Sequence, residues 1–185
     1  EAAMHAINQN KFGKTFFHLG PPRDSSLFEK QKDNKTDIDK CDFILCTGLF
    51  DDYDDDLNYY RKFLEKQISK KLVCTNPDLT VHRGNIEELC AGSVAKVFEE
   101  LGGKVIYYGK PYKEVYNKCF DENDRVLAIG DNLRTDIKGA NNLNIDSIFI
   151  TDGVHREEIK DIMKLDTLLI KYKVKTNFFQ KELTW

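Results

Sequence analysis

Asp131 and Asp136 stand at the end of an apolar run, in Val126-Leu-Ala-Ile-Gly-Asp-Asn-Leu-Arg-Thr-Asp-Ile-Lys-Gly-Ala140. A carboxylate at that point suits Mg2+. This hard cation prefers oxygen ligands, keeps several waters and binds few protein groups. Gly130 lets the backbone turn tightly and approach a ligand. Asp136 would either reach the metal through water or fix the loop by accepting backbone N–H bonds. An isolated Gly-Asp-Asn is usually a turn and a lone Asp usually a helix cap. Here the strand before, the helix after and the second Asp occur together, and the combination favours a metal site.

The second candidate is Tyr108-Gly-Lys-Pro111, again after a strand. Gly109 and Pro111 hold Lys110 at a strand-to-helix turn. An ammonium fixed there can pair with a phosphate or neutralise crowded carboxylates. A lysine alone is an ordinary surface residue. Its place upstream of the Asp131 strand argues for function.

An α/β fold must position these groups. Strands are expected at 14–19, 41–47, 71–75, 104–108, 125–129, 147–150 and 177–180. Helices are expected from Asp24 (capped by Asp24 or Ser25), then at 54–69, 93–101, 112–120, 135–143 and 157–164. Leu57, Tyr60, Leu64 and Ile68 recur at helical spacing. Alternation of strands and helices predicts a parallel sheet wrapped by helices. Ligands then bind beyond the carboxyl ends of the strands, where Asp131 would project.

Composition bounds the rest. The 185 residues are 41% hydrophobic and 32% charged with a formal charge of -3, so no positive field would draw in nucleic acid. Lys171, Lys173 and Lys175 read as a solvated strand edge. No apolar run reaches the roughly 18 residues of a membrane helix, and 1–14 has no signal-peptide core. Both absences favour the cytoplasm and exclude a membrane partner. Five cysteines without a C-x-x-C pair argue against metal clips and a disulfide framework.

Gly-Lys-Pro followed by Gly-Asp-Asn-Leu-Arg-Thr-Asp-Ile-Lys-Gly-Ala resembles the third and fourth motifs of the haloacid dehalogenase superfamily. Ile148-Phe-Ile-Thr-Asp-Gly-Val154 resembles the strand and loop that follow. Leu72-Val-Cys-Thr-Asn-Pro-Asp78 is similar to the cap motif of subclass IIA, the NagD-like phosphatases. The resemblance implies a Rossmann-like core with an inserted α/β cap, and Mg2+-dependent hydrolysis of a small phosphorylated metabolite such as a sugar or nucleotide monophosphate. It implies that Lys110 steadies a phosphoaspartate, Asp131 binds Mg2+, Asp136 supports it and Asn132 orients the loop. Thr75, Asn76 and Asp78 would lie on the cap, on its substrate side. Residues 1–9 would be the helix entering the cap, 10–108 the cap, and 109–185 the C-terminal half of the core.

Family members draw a nucleophile from an Asp-x-Asp motif on the first core strand and a phosphate-binding Thr or Ser from the second. Neither motif is evident, and the expectation is a chain without its nucleophile segment. Asp52-Tyr53-Asp54 is the nearest match. Asp55, Asp56 and Leu57 follow where Gly and Thr or Val are usual, and an acidic helix start explains them better. His18 and Arg23, flanking Gly20-Pro21-Pro22, read as a strand and turn rather than a phosphate loop. His155 reads as a helix-start residue. Two rival readings stand beside the enzyme: a truncated, non-catalytic remnant that binds a metal or partner, and a ligand-binding domain without chemistry. Half a core would expose a sheet edge and invite homo-oligomers or a complementing N-terminal segment.

Overall fold

The computed structural model describes residues 2–84, 86–117, 119–121, 123–159 and 164–184. The chain divides into two compact units, Glu1–Gly109 and Lys110–Trp185.

In the first unit, α1 (Ala2–Asn8) leads to β1 (Phe16–Leu19), a 3-10 helix (Pro22–Asn34), β2 (Phe43–Cys46), α2 (Leu57–Leu64) and β3 (Lys71–Cys74). Then come β4 (Thr80–Arg83), β5 (Ile86–Leu89), α3 (Ala91–Glu100) and β6 (Lys104–Tyr107). The parallel sheet runs β1-β2-β3-β6, and β4 pairs antiparallel with β5. All four residues of β2 are fully buried, as expected of a parallel strand covered on both faces. Because side chains alternate, Ile44 and Cys46 join Tyr60, Leu64, Val94 and Phe98 under α2 and α3. Phe43 and Leu45 face the other way and pack with Ala6, Ile7 and Phe28 of α1 and the 3-10 helix. Burying one such Phe or Leu contributes about 1.5–3 kcal/mol.

Polar residues set the element ends. Asp56 caps α2, its carboxylate accepting the amides of Asn58 and Tyr59 at 2.9 and 3.1 Å, worth about 1 kcal/mol. The Asp42 carboxylate accepts the amides of Lys14 and Thr15, each at 2.8 Å, tying the start of β1 to β2. The segment after β1 begins at Pro22 with Pro21 as its cap, not at Asp24 or Ser25. Proline's fixed φ suits a first helical position.

In the second unit, α4 (Lys113–Tyr116), β7 (Leu127–Gly130), a π-helical turn (Leu133–Ile137), α5 (Lys138–Leu143), β8 (Asp146–Ile150), α6 (Leu165–Tyr172) and β9 (Phe178–Gln180) follow in order. The parallel sheet runs β7-β8-β9. Leu133, Ile137, Phe149, Leu165, Leu168 and Val174 form its core. Leu127 and Ile129 of β7 and Phe178 of β9 are 47%, 40% and 59% exposed. The register puts them on one face with Ile148, opposite Phe149.

Three expectations are corrected here. The helix expected at 157–164 is replaced by a turn before 159 and by α6 from Leu165, and residues 160–163 lie outside the described residues. The helix expected at 112–120 is a single turn, Lys113–Tyr116, with Lys118 outside the described residues. Lys171, Lys173 and Lys175 are not a strand edge. Lys171 is in the last turn of α6, where a cation suits the helix dipole, and Lys173 is its left-handed C-cap with φ 55°. The Lys175 amide and carbonyl bond to the Asn141 side chain.

Candidate active site

The site builds up at the carboxyl end of β7. Gly130 ends the strand and Asp131 follows at once. A Cβ placed on Gly130 would lie 2.3 Å from the Asp136 Cβ, and one on Gly153 would lie 2.2 Å from Asp131 Oδ2. No side chain fits at either position, so the backbone approaches each carboxylate closely.

The loop is held by hydrogen bonds. Asn132 caps the turn after it, its Oδ1 accepting the Arg134 amide at 2.9 Å. Asp136 Oδ2 accepts the Asn132 amide at 3.1 Å. Lys110 Nζ donates to Asp136 Oδ1 at 2.5 Å. The Asp136 side chain is 12% exposed and that of Lys110 48%. Asp131 Oδ2 accepts the Val154 amide at 3.0 Å. Among the described hydrogen bonds, Asp131 Oδ1 accepts none.

Behind the loop, the Leu133 amide donates to His155 Nε2 at 3.2 Å. His155 Nδ1 lies 2.6 Å from Glu158 Oε1. Burial raises the Glu158 pKa, but hydrogen bonds from Lys171, His155 and Tyr172 outweigh that and bring it to about 2. His155 is 1% exposed and starts no helix, so the helix-start reading is corrected.

The geometry thus gathers Lys110, Asp131, Asn132 and Asp136 in the second unit. Thr75, Asn76 and Asp78 lie in the first unit. Thr75 is engaged structurally, its amide and hydroxyl both donating to the Cys46 carbonyl at 3.0 and 3.3 Å. Asn76 and Asp78 line a cleft of about 990 Å³ with Arg23, Thr47, Asp51 and Glu88. It lies at the carboxyl ends of β1, β2 and β3, walled by β4 and β5. Arg23 is paired with Asp51 at 2.7 Å, and Asp52 is exposed in the 3-10 turn Asp51–Tyr53. His18 is buried and shares a 2.9 Å hydrogen bond with Thr47.

Comparison with known proteins bears on this loop directly. The HAD-hydrolase-like family model matches residues 107–170, which span Lys110, Asp131 and Asp136. Ribonucleotide monophosphatase NagD of Escherichia coli K12 is 30% identical over 88 residues, 45% of this chain and 34% of NagD. A hydrolase of the haloacid dehalogenase-like family from Brucella suis matches with TM-score 0.76 and 28% identity, over 83% of this chain and 62% of that one. Residues 107–170 thus carry a likeness to haloacid dehalogenase-like hydrolases, and the similarity to NagD points the same way. A 4-nitrophenylphosphatase from Thermotoga maritima shares the superfamily fold with this chain at TM-score 0.67 and 26% identity, over 97% of this chain and 66% of that one. The chain therefore spans about a third of NagD and under two thirds of the Brucella hydrolase.

The donor set of this haloacid-dehalogenase-like loop fits the Mg2+ that superfamily phosphatases generally use. Both oxygens of Asp136 are engaged by Lys110 and Asn132, which leaves Asp131 Oδ1 as the available hard donor. Among the described residues no three His, Cys, Asp or Glu side chains group to hold a metal. A cation that keeps its waters and takes one or two protein carboxylates suits that arrangement.

Val154 and Glu158 escaped the sequence reading. A backbone amide on a valine leaves no sequence signal. Glu158 looks like any charged residue until its partners are seen.

Proposed function

We propose that the chain forms part of a Mg2+-dependent phosphomonoesterase. The observation that carries the reading is Asp131, held at the end of β7 by the Val154 amide with one oxygen outside that bond, in a loop braced by the Lys110–Asp136 pair. Asp131 would hold the cation. Mg2+ bound there would offset charge on the phosphoryl oxygens as the reaction proceeds. Lys110 adds a fixed positive charge, and Asp136 keeps that ammonium and the Asn132 backbone in place. Because the Asp136 oxygens are already engaged, its role is positioning rather than proton transfer. The reaction is attack of an aspartate on phosphorus, which breaks the ester P–O bond and expels the alcohol, giving an acyl phosphate that water then hydrolyses to inorganic phosphate and the free carboxylate. The exposed turn that carries Asp52 speaks against it as that nucleophile, and no other described residue is assigned the role.

The first unit is the substrate-selecting cap, with Asn76 and Asp78 on its cleft and Thr75 supporting the strand end behind them. The substrate is a small phosphorylated metabolite; the names of NagD, a ribonucleotide monophosphatase, and of the Thermotoga 4-nitrophenylphosphatase both denote action on small phosphomonoesters.

The test is hydrolysis of an aryl phosphate by this polypeptide with and without Mg2+, beside Asp131→Asn, together with Mg2+ binding by calorimetry. Mg2+ binding that Asp131→Asn abolishes supports the site whether or not turnover is seen. Turnover lost in Asp131→Asn would place a nucleophile within residues 1–185 and make Asp52 the first residue to replace. An unchanged Mg2+ affinity in Asp131→Asn would sink the assignment.

One observation favours a second reading, a module that binds a metal or partner without catalysis. The face of the β7-β8-β9 sheet bearing Leu127, Ile129 and Phe178 is exposed, and apolar surface of that kind invites a second copy or a complementing segment. Light scattering decides it. A monodisperse monomer that turns over an aryl phosphate contradicts this reading.

A further inference from the structure

His155 is 1% exposed, yet both of its ring nitrogens are engaged. A backbone N–H only donates, so at 3.2 Å from the Leu133 amide Nε2 is the acceptor. The ring proton then sits on Nδ1 and is donated to Glu158 Oε1 at 2.6 Å. Glu158 is itself fixed. Lys171 Nζ donates to its Oε2 at 2.6 Å, and the Tyr172 hydroxyl lies 2.9 and 3.1 Å from its two oxygens. Arg134 donates to the same hydroxyl at 3.0 Å.

The residue before His155 also grips the loop, because the Val154 amide donates to Asp131 Oδ2. Two adjacent residues thus hold the loop at two points, Asp131 and Leu133. The Val154 grip is unconditional. The His155 grip requires one tautomer, and Glu158 selects it.

We infer that His155 is a positioning residue: kept in the Nδ1–H form by Glu158, it holds the Leu133 amide and so sets the direction in which Asp131 presents its second oxygen. The link to cation binding rests on the reading of Asp131 as the Mg2+ ligand. The hydrogen-bond relay does not. Outer partners that orient a ligand change metal affinity about 10–100-fold when removed, the effect expected here although the residue held, Leu133, stands two positions beyond the ligand in the chain.

The experiment uses the full chain, isotopically labelled. Long-range 1H–15N spectra of the His155 ring should show Nδ1 protonated and Nε2 bare, and a protonated Nε2 overturns the inference. Exchange of the Leu133 amide should quicken at least tenfold in His155→Leu and change little in His155→Gln, whose carbonyl can take the place of Nε2. Equal exchange in parent and His155→Leu overturns it. If His155→Leu does not fold, Glu158→Met is read instead. It should mix the two ring tautomers and quicken Leu133 exchange, and an unchanged ring overturns the relay.

Mg2+ calorimetry then separates the two claims. A parent that binds no Mg2+ removes the assignment of Asp131 and with it the effect on cation binding, while the tautomer and exchange data still decide the relay. With a binding parent, His155→Leu should weaken Mg2+ at least tenfold and His155→Gln should restore it. Equal affinity in all three would overturn the positioning role.

Discussion

Lys110 Nζ lies 2.5 Å from Asp136 Oδ1, while the other oxygen of that carboxylate accepts the Asn132 amide. Asp136 therefore joins the strand-end lysine to the loop that carries Asp131. The lysine is half exposed and its partner carboxylate 12% exposed, so the pair is partly screened by solvent and its contribution to stability is modest, about 1 kcal/mol. A fixed charge acting on a developing charge is worth far more, about 10²–10³ in rate. In a preparation that turns over an aryl phosphate, Lys110→Met should cut hydrolysis by about 10²–10³-fold while leaving the melting temperature within a few degrees. A large drop in melting temperature with intact turnover would reverse that assignment.

His18 should stay neutral well into the acid range. Burial lowers its pKa to about 4, the charge of Lys35 adds to this and Asp24 opposes it. The folded pKa lies below the unfolded value near 6.5. The stability this contributes is full above pH 6.5 and is lost as pH falls towards 4. NMR titration of the His18 ring should give a midpoint near 4, and a midpoint above 6 would contradict the buried, Thr47-bonded ring.

Glu158 loads the second unit in a lower window. Its folded pKa, about 2, lies below the ordinary 4.5. Its contribution is complete above pH 4.5 and lost as pH falls through 2. In Glu158→Gln, denaturant unfolding of the second unit should depend less steeply on pH below 4.5 than in the parent. Identical slopes would mean that the Lys171 and Tyr172 contacts do not persist in solution.

Thr135 sits in the π-helical turn at 4% exposure, and its hydroxyl is the buried side-chain polar atom without a partner among the described residues. Burying an unmatched hydroxyl costs about 1–3 kcal/mol. Thr135→Val keeps the shape and removes the oxygen, so it should raise the melting temperature by about 2–4 °C. A lower melting temperature would show that the hydroxyl is satisfied in solution.

Much of this was legible in the residues because local and tertiary preferences agree. Phe43 to Cys46 and Leu72 to Cys74 are unbroken apolar runs, and they are buried central strands. Gly130-Asp131 ends a strand where the sequence said a strand should end. The β4–β5 hairpin was missed, although Gly84-Asn85 between two short runs is a hairpin signal. Its strands carry polar residues such as Glu87 and Glu88, and no apolar alternation marked them. Helix α6 starts later than the sequence suggests, because the charged stretch Arg156 to Lys160 resembles a helix start. Its buried residues, Leu165 and Leu168, show the spacing that should have decided it. The role of His155 was hidden for a different reason: its partner is the amide of Leu133, which no residue type announces.

The close approach of Gly130 and Gly153 to the two carboxylates also bears on how the protein can change. Any side chain at 130 would drive into Asp136, and any at 153 into Asp131. These positions are closed to gradual substitution, whatever the selective pressure. Innovation in what the protein acts upon must then come from residues outside the loop. The first unit, whose cleft is lined by exposed loop side chains, has room for substitution while the second keeps the arrangement around Asp131 and Asp136. A saturation library should show the contrast: near-total intolerance at 130 and 153, and broad tolerance along Asp51 to Asp55.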